Sequence, residues 1–197
     1  MFSFFRCSEK NCPSFALKGG EKCFHHSQNK KHVLDLLLSD AKETRIIEDE
    51  NLANVSFDSV DFSSIDIIGS NFSFSTFTGC TFSSSKIINS FFDYAIFNSC
   101  TFADMDIKSS VFSGSMLYKT RITDSSLILS SFMAIDMIAS SFVSDDLYFS
   151  NFSLSKIISS EFEDCNLKRA NFASSVIRGV SFRYSNKEDS FFREDMF

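Results

Sequence analysis

Residues 70–89, SNFSFSTFTGCTFSSSKIIN, return to a large apolar residue at every fifth position: Phe72, Phe77, Phe82 and Ile87. The same clock runs outward in both directions, from Leu52 to Phe182, through 27 consecutive positions without one polar residue. In a chain that is 44% hydrophobic, chance gives such a run with a probability on the order of 10⁻¹⁰. Two residues before each centre most units carry a small residue, such as Ser70, Ser75, Cys80 and Ser85; Ile65, Met105, Ile135 and Asp145 depart from this.

A period of five fits neither a helix, at 3.6 residues per turn, nor a strand, at two, so neither element keeps these side chains buried over such a length. A short extended side followed by a corner does, with one large and one small side chain turned inward per unit. Steps of twenty then sort the centres by type. One ladder is Phe72, Phe92, Phe112, Phe132, Phe152 and Phe172, and another, from Ile67 to Leu167, is wholly aliphatic. Four sides per coil follow. About seven coils at about 4.8 Å each predict a rod about 30 Å long.

Units such as Ala170-Asn171-Phe172-Ala173-Ser174 and Cys165-Asn166-Leu167-Lys168-Arg169 resemble the pentapeptide-repeat family, whose pattern is small, polar, Leu or Phe, polar, variable. The resemblance covers about two thirds of the chain and implies an all-β solenoid, a right-handed quadrilateral β-helix. It also implies a competing function, because some relatives resemble duplex DNA in size and charge and bind DNA gyrase. Over residues 51–182 there are 13 Asp and Glu against 8 Lys and Arg, and Asp66, Lys86, Asp106 and Asp146 alternate down one side. An acidic DNA mimic that binds gyrase or another DNA-binding protein is therefore the alternative reading.

The chain reads as a zinc-binding module at 1–26, a capping helix and linker at 27–51, the repeat at 52–182 and a C-terminal cap at 183–197. The helix is expected over residues 27–42, with Ser27 or Asn29 as its N-cap. Beyond Phe182 the clock fails at Lys187 and returns at Phe192 and Phe197.

Cys7, Cys12, Cys23 and His26 offer three thiolates and an imidazole within 20 residues, beside Gly19-Gly20 where a tight turn forms readily. Three Cys and one His suit one structural zinc ion, which staples a segment too small for its own core. His25 and His32 are rival ligands, and free thiols or a Cys7–Cys12 disulfide are the competing states. Cys80 and Cys100, one coil apart at the small inward position, are expected to be packed, reduced thiols.

The net charge of −6 and pI near 5.0 argue against a direct grip on nucleic acid. The N-terminal apolar run is too short for a signal peptide, and no stretch has the length of a membrane span, so a cytoplasmic, non-membrane protein is expected. All three His residues precede position 33, and no phosphate-binding Gly loop or nucleophile elbow is present, so the repeat holds no catalytic set.

Asp145 stands at an inward small position. Distortion and exposure are expected there, because an unpaired buried charge is costly. Outward from the aliphatic ladder stand Ile68, Ile88, Ile128, Leu129, Tyr148 and Phe149, an apolar stripe that reads as the face for a protein partner. The reading is a non-enzymatic scaffold or protein-binding rod; a homodimer through the C-terminal tail or an apolar face is the self-association it allows.

Overall fold

The computed structural model describes residues 5–192. Its centre is the expected four-sided β-solenoid, in which the sides pair in parallel with residues twenty positions on, as Thr76 with Ile96 and Ile96 with Met116. We number the sides by their inward residues: the first by Ile67 and Ile87, the second by Phe72 and Phe92, the third by Phe57 and Phe77, the fourth by Phe62 and Phe82. The third side is a seven-stranded sheet, the fourth has five strands and the first has four. The second side pairs only through single bridges, from Asn51–Asn71 to Asn171–Phe191. Its units close instead as tight turns, with the Ser75 N–H donating to the Phe72 carbonyl at 3.1 Å.

The large inward side chains stack because identical residues meet every coil. The rings of Phe72, Phe92, Phe112, Phe132, Phe152, Phe172 and Phe192 follow one another at centroid distances of 4.6 to 5.2 Å. The core composition changes halfway along. Up to Phe97, rings on the third side separate those of the second and fourth; from Leu117 that side is aliphatic, and Phe132 and Phe142 meet edge to face at 5.7 Å. The first side changes form in the same region, from strands ending at Asp106–Lys108 to tight turns from Ser126 onward.

The small inward position does more than leave room for a ring. The Ser90 hydroxyl accepts from the Ser70 N–H at 3.2 Å and donates to the Ile88 carbonyl at 3.0 Å, and the motif recurs from coil to coil. Cys80 and Cys100 take the same place as unpaired thiols, with Cys100 Sγ donating to the Phe77 carbonyl at 3.3 Å. Ile65, Met105 and Ile135 depart from the small type and are nonetheless fully buried.

Two expectations need correction at the ends. Ile46–Glu48 already pairs with Asp66–Ile68, so the solenoid starts one unit before Leu52. At the other end the coil continues past 182 rather than giving way to a separate cap: Asn166 bridges Asn186, Asn171 bridges Phe191, and Lys187 fills an inward-centre position with its ammonium 5.8 Å from the Phe182 ring. Phe197 lies outside the described residues. A helix, Lys30–Thr44, covers the first coil with Leu34, Leu37, Leu38 and Ala41. Its N-cap is Asn29, whose Oδ1 accepts from the His32 N–H at 3.3 Å.

Candidate functional site: a Cys/His knuckle and two outer faces

Ahead of the helix, residues 5–26 fold as two short turns. The Arg6–Phe15 bridge and the Cys7 N–H to Ser14 carbonyl bond, 3.0 Å, close the first, which carries Cys7 and Cys12. The Leu17 N–H to Lys22 carbonyl bond closes the second around Gly19, whose φ of +70° suits glycine. Cys23 follows, and a single 3₁₀ turn, Phe24–His26, swings His26 back onto it.

These turns bring Cys7, Cys12, Cys23 and His26 together, with all four ligand atoms within 4.8 Å of one another. Cys12 Sγ and Cys23 Sγ are 3.9 Å apart, and His26 Nδ1 is 3.3 Å from Cys23 Sγ and 3.5 Å from Cys7 Sγ. A tetrahedral zinc with arms of about 2.3 Å has ligand edges of about 3.8 Å, so the donor set fits by size and by chemistry. Desolvation raises the Cys7 thiol, but hydrogen bonds from the backbone of Cys23 and Glu9 and from His26 outweigh it and bring the thiol down to about 6. Of the rival histidines, His25 turns away toward the Ala53 carbonyl, 3.4 Å, and His32 lies exposed on the helix.

The knuckle is tied to the start of the solenoid. Asn51 Nδ2 donates to the Phe15 carbonyl at 2.7 Å, Lys18 Nζ donates to the Glu48 carbonyl at 3.0 Å, and the Lys18 N–H donates to Glu50 Oε2 at 3.1 Å. Burial raises the Glu50 carboxyl, and Lys18 partly offsets it. Phe24 reaches into the core itself.

On the first side the expected apolar stripe is broken in two. Ile68 and Ile88 are half-buried against each other, and Lys108, paired with Asp106 at 2.8 Å, interrupts them. Beyond it Ile128 and Tyr148 are half-buried, whereas Leu129 and Phe149 are 65% and 51% exposed. Both have φ of 58°, in the left-handed region that a bulky side chain enters at a cost. Arg169 borders the patch, with Nη1 3.4 Å from the Tyr148 hydroxyl and Nε 3.6 Å from Asp189 Oδ2, and Lys168 beside it pairs with Glu188 at 2.9 Å.

The sequence reading overlooked a second group of exposed apolar residues, along the corner between the second and third sides. Phe74 and Tyr94 are stacked there at 5.1 Å and more than half exposed, with Leu154 on the same corner further along. Their shared offset, two residues after the centre, was the available signal.

Asp145 corrects another expectation. It is neither exposed nor distorting: only 2% accessible, it takes the place of the inward hydroxyl, accepting from the Ser125 N–H at 2.8 Å and the Val143 N–H at 2.9 Å. Burial pushes its carboxyl up to about 7 against those two bonds.

Among the described residues no helix is long and apolar enough to cross a membrane. A family model described as pentapeptide repeats matches in eight copies, with residues 51–83 aligned. Among curated proteins none matches the sequence. Of solved structures, the chain is similar to HetL, involved in heterocyst differentiation regulation in the cyanobacterium Nostoc sp. strain PCC 7120, at 13% identity over 84% of this chain and 95% of HetL, TM-score 0.36. It is also similar to full-length QnrB1, a plasmid-mediated fluoroquinolone resistance protein, at 16% identity over 72% and 83%, TM-score 0.32. A third likeness is to a protein of the Arabidopsis thaliana thylakoid lumen, at 12% identity over 73% and 72%, TM-score 0.24.

Proposed function

The chain belongs to the pentapeptide-repeat family, and from that premise we propose that it is a non-enzymatic rod that binds another protein through its first side. The observation that carries this is the exposure of Leu129 and Phe149, one coil apart on the same corner and 65% and 51% accessible beside the half-buried Ile128 and Tyr148. Their positive φ is the conformation that each coil repeats at its corners.

The patch has an apolar centre at Leu129 and Phe149, bordered by Lys168 and Arg169, which pair with Glu188 at 2.9 Å and Asp189 at 3.6 Å. A partner segment with an apolar anchor complements it. Cys7, Cys12, Cys23 and His26 hold one zinc ion as a structural staple; a closed four-ligand site leaves no open position for catalysis. The six unpaired cysteines suit a reducing compartment such as the cytoplasm.

The test substitutes Leu129→Gly and Phe149→Gly. Relief of left-handed strain raises stability by about 1 kcal/mol each, while capture of the partner by the purified rod falls. Capture that survives both substitutions removes this patch as the binding face. The alternation of Asp66, Lys86 and Asp106 weakens the duplex-mimic reading, which a gyrase supercoiling assay checks directly: inhibition lost on neutralising Asp106 and Asp146 would restore it.

A further inference from the structure

The third side changes character along its length. In its first two coils the outward residues are Ser56, Asp58, Thr76 and Thr78, all polar. From Ile96 onward every coil turns a large apolar or aromatic residue outward: Ile96, Met116 and Tyr118, Ile138, Ile158, and Val176. Met116, Tyr118 and Val176 are exposed, and Ile138 and Ile158 are half-buried. The fourth side, the other long sheet, turns mainly Ser, Thr and charged residues outward over the same coils. An apolar stretch on one flat sheet face is the surface of an interface.

Two charges stand in the middle of that stretch, Asp136 and Lys156, and among the described residues neither is in an ion pair. The parallel ladder fixes the order of the outward residues over the last four coils: Met116 with Tyr118, Asp136 with Ile138, Lys156 with Ile158, and Val176 with Arg178. Turned end for end about the midpoint of the two central coils, this set is complementary to itself. Asp136 falls opposite Lys156, Ile138 opposite Ile158, Met116 opposite Val176 and Tyr118 opposite Arg178. On the border before these rows Leu154, which is 60% exposed, falls opposite Ala134, and on the border after them Lys119 falls opposite Gly179.

We propose that a second copy of this chain packs antiparallel on the third side over these four coils, about a two-fold axis parallel to the strands and midway between Asp136 and Lys156. Residue i of one copy meets j of the other and j meets i, so every pair occurs twice. Two ion pairs then flank the isoleucines at the centre, and at each end the Arg178 guanidinium of one copy lies over the Tyr118 ring of the other. No residue meets itself, because the axis passes between coils. Lys119, with its ammonium 5.1 Å from the Tyr118 ring, stays at the rim, where water and salt screen it from Arg178 of the second copy.

Other arrangements lose this match. An antiparallel axis through the coil of Asp136 sets that carboxylate against its own copy, and one through the coil of Lys156 does the same for the ammonium. An axis along the rod sets Asp136 against Ile138 and Lys156 against Ile158. The overlap of four coils, about 20 Å long, belongs to the small, weakly associating class of interface. The first side lies across the rod from the third, so the dimer leaves both Leu129–Phe149 patches open.

The test is sedimentation of the full chain from low micromolar to millimolar concentration, with the mass expected to rise from one chain toward two. Asp136→Lys and Lys156→Asp each set like charges across the axis. Each alone is expected to weaken dimerisation at least about tenfold, with an unchanged melting temperature at low micromolar concentration. An equimolar mixture of the two variants places opposite charges at every pairing and is expected to dimerise, as is the chain that carries both substitutions. Ser83→Glu, on the fourth side, is expected to leave the dimer intact. A single-chain mass at every concentration overturns the proposal, as does a dimer that withstands either single substitution. Single variants that remain monomeric when mixed overturn the antiparallel register.

Discussion

Asp145 occupies a position that its counterparts one and three coils earlier, Ser125 and Ser85, fill with a hydroxyl. Ser125 Oγ both accepts from the Met105 N–H and donates to the Thr123 carbonyl, whereas an ionised carboxylate only accepts. Around Asp145, Asp124 opposes its ionisation and Arg121 favours it, with burial outweighing both. Its folded pKa, about 7, exceeds the unfolded value of about 3.9, so the folded state binds the proton more tightly. The resulting stability is fully present below about pH 4 and is lost as pH rises through about 7. Asp145→Ser restores the hydroxyl and is expected to stabilise the protein at pH 8, by on the order of 3 kcal/mol, with little effect at pH 4. Melting curves of both proteins across this range check it; an equal difference at all pH values sinks the account.

The knuckle and helix α1, Lys30–Thr44, act as one cover at the scale of elements. A segment of some twenty residues with few buried apolar groups has little stability of its own, and metal binding is the free energy that orders such pieces. Cys23→Ser or a strong chelator is expected to remove one zinc per chain. Amide exchange is then expected to rise in residues 6–26 and in Ile46–Asn51, which lose the bonds from Lys18 and to Phe15. Exchange in the coils beyond Phe72 is expected to stay slow. A protein purified without metal, or exchange unaltered at Ile46–Asn51, contradicts the staple.

Over the whole molecule, each coil touches only its neighbours, so the energetics are close to one-dimensional. Phe152 is fully buried and stacked between Phe132 and Phe172 at 5.1 and 5.0 Å. Phe152→Ala is expected to cost about 3–5 kcal/mol, with exchange accelerated most in the coils of Phe132 and Phe172 and least in the first two. Uniform acceleration along the rod would show that the solenoid opens as a single cooperative unit instead. A small apolar void lies where Leu117 and Ile122 replace rings, lined also by Phe97, Phe102 and Phe112.

Periodicity by itself determined the solenoid, its four sides and which residue of each unit faces inward, because a side chain recurring every five residues is buried in no other regular fold. Spacing likewise nominated Cys7, Cys12, Cys23 and His26, since short loops confine ligands to one neighbourhood. Choosing His26 over His25 took the 3₁₀ turn after Cys23, whose geometry no spacing rule encodes. The burial of Asp145 was also invisible to the pattern: two backbone N–H groups of the fold donate to a carboxylate that a count of charges rejects. Which apolar residues lie open was decided by the corners, because a residue two places after the centre has positive φ and projects outward. The linear pattern shows Phe74, Tyr94, Leu129 and Phe149 only as apolar; the coil turns them toward solvent.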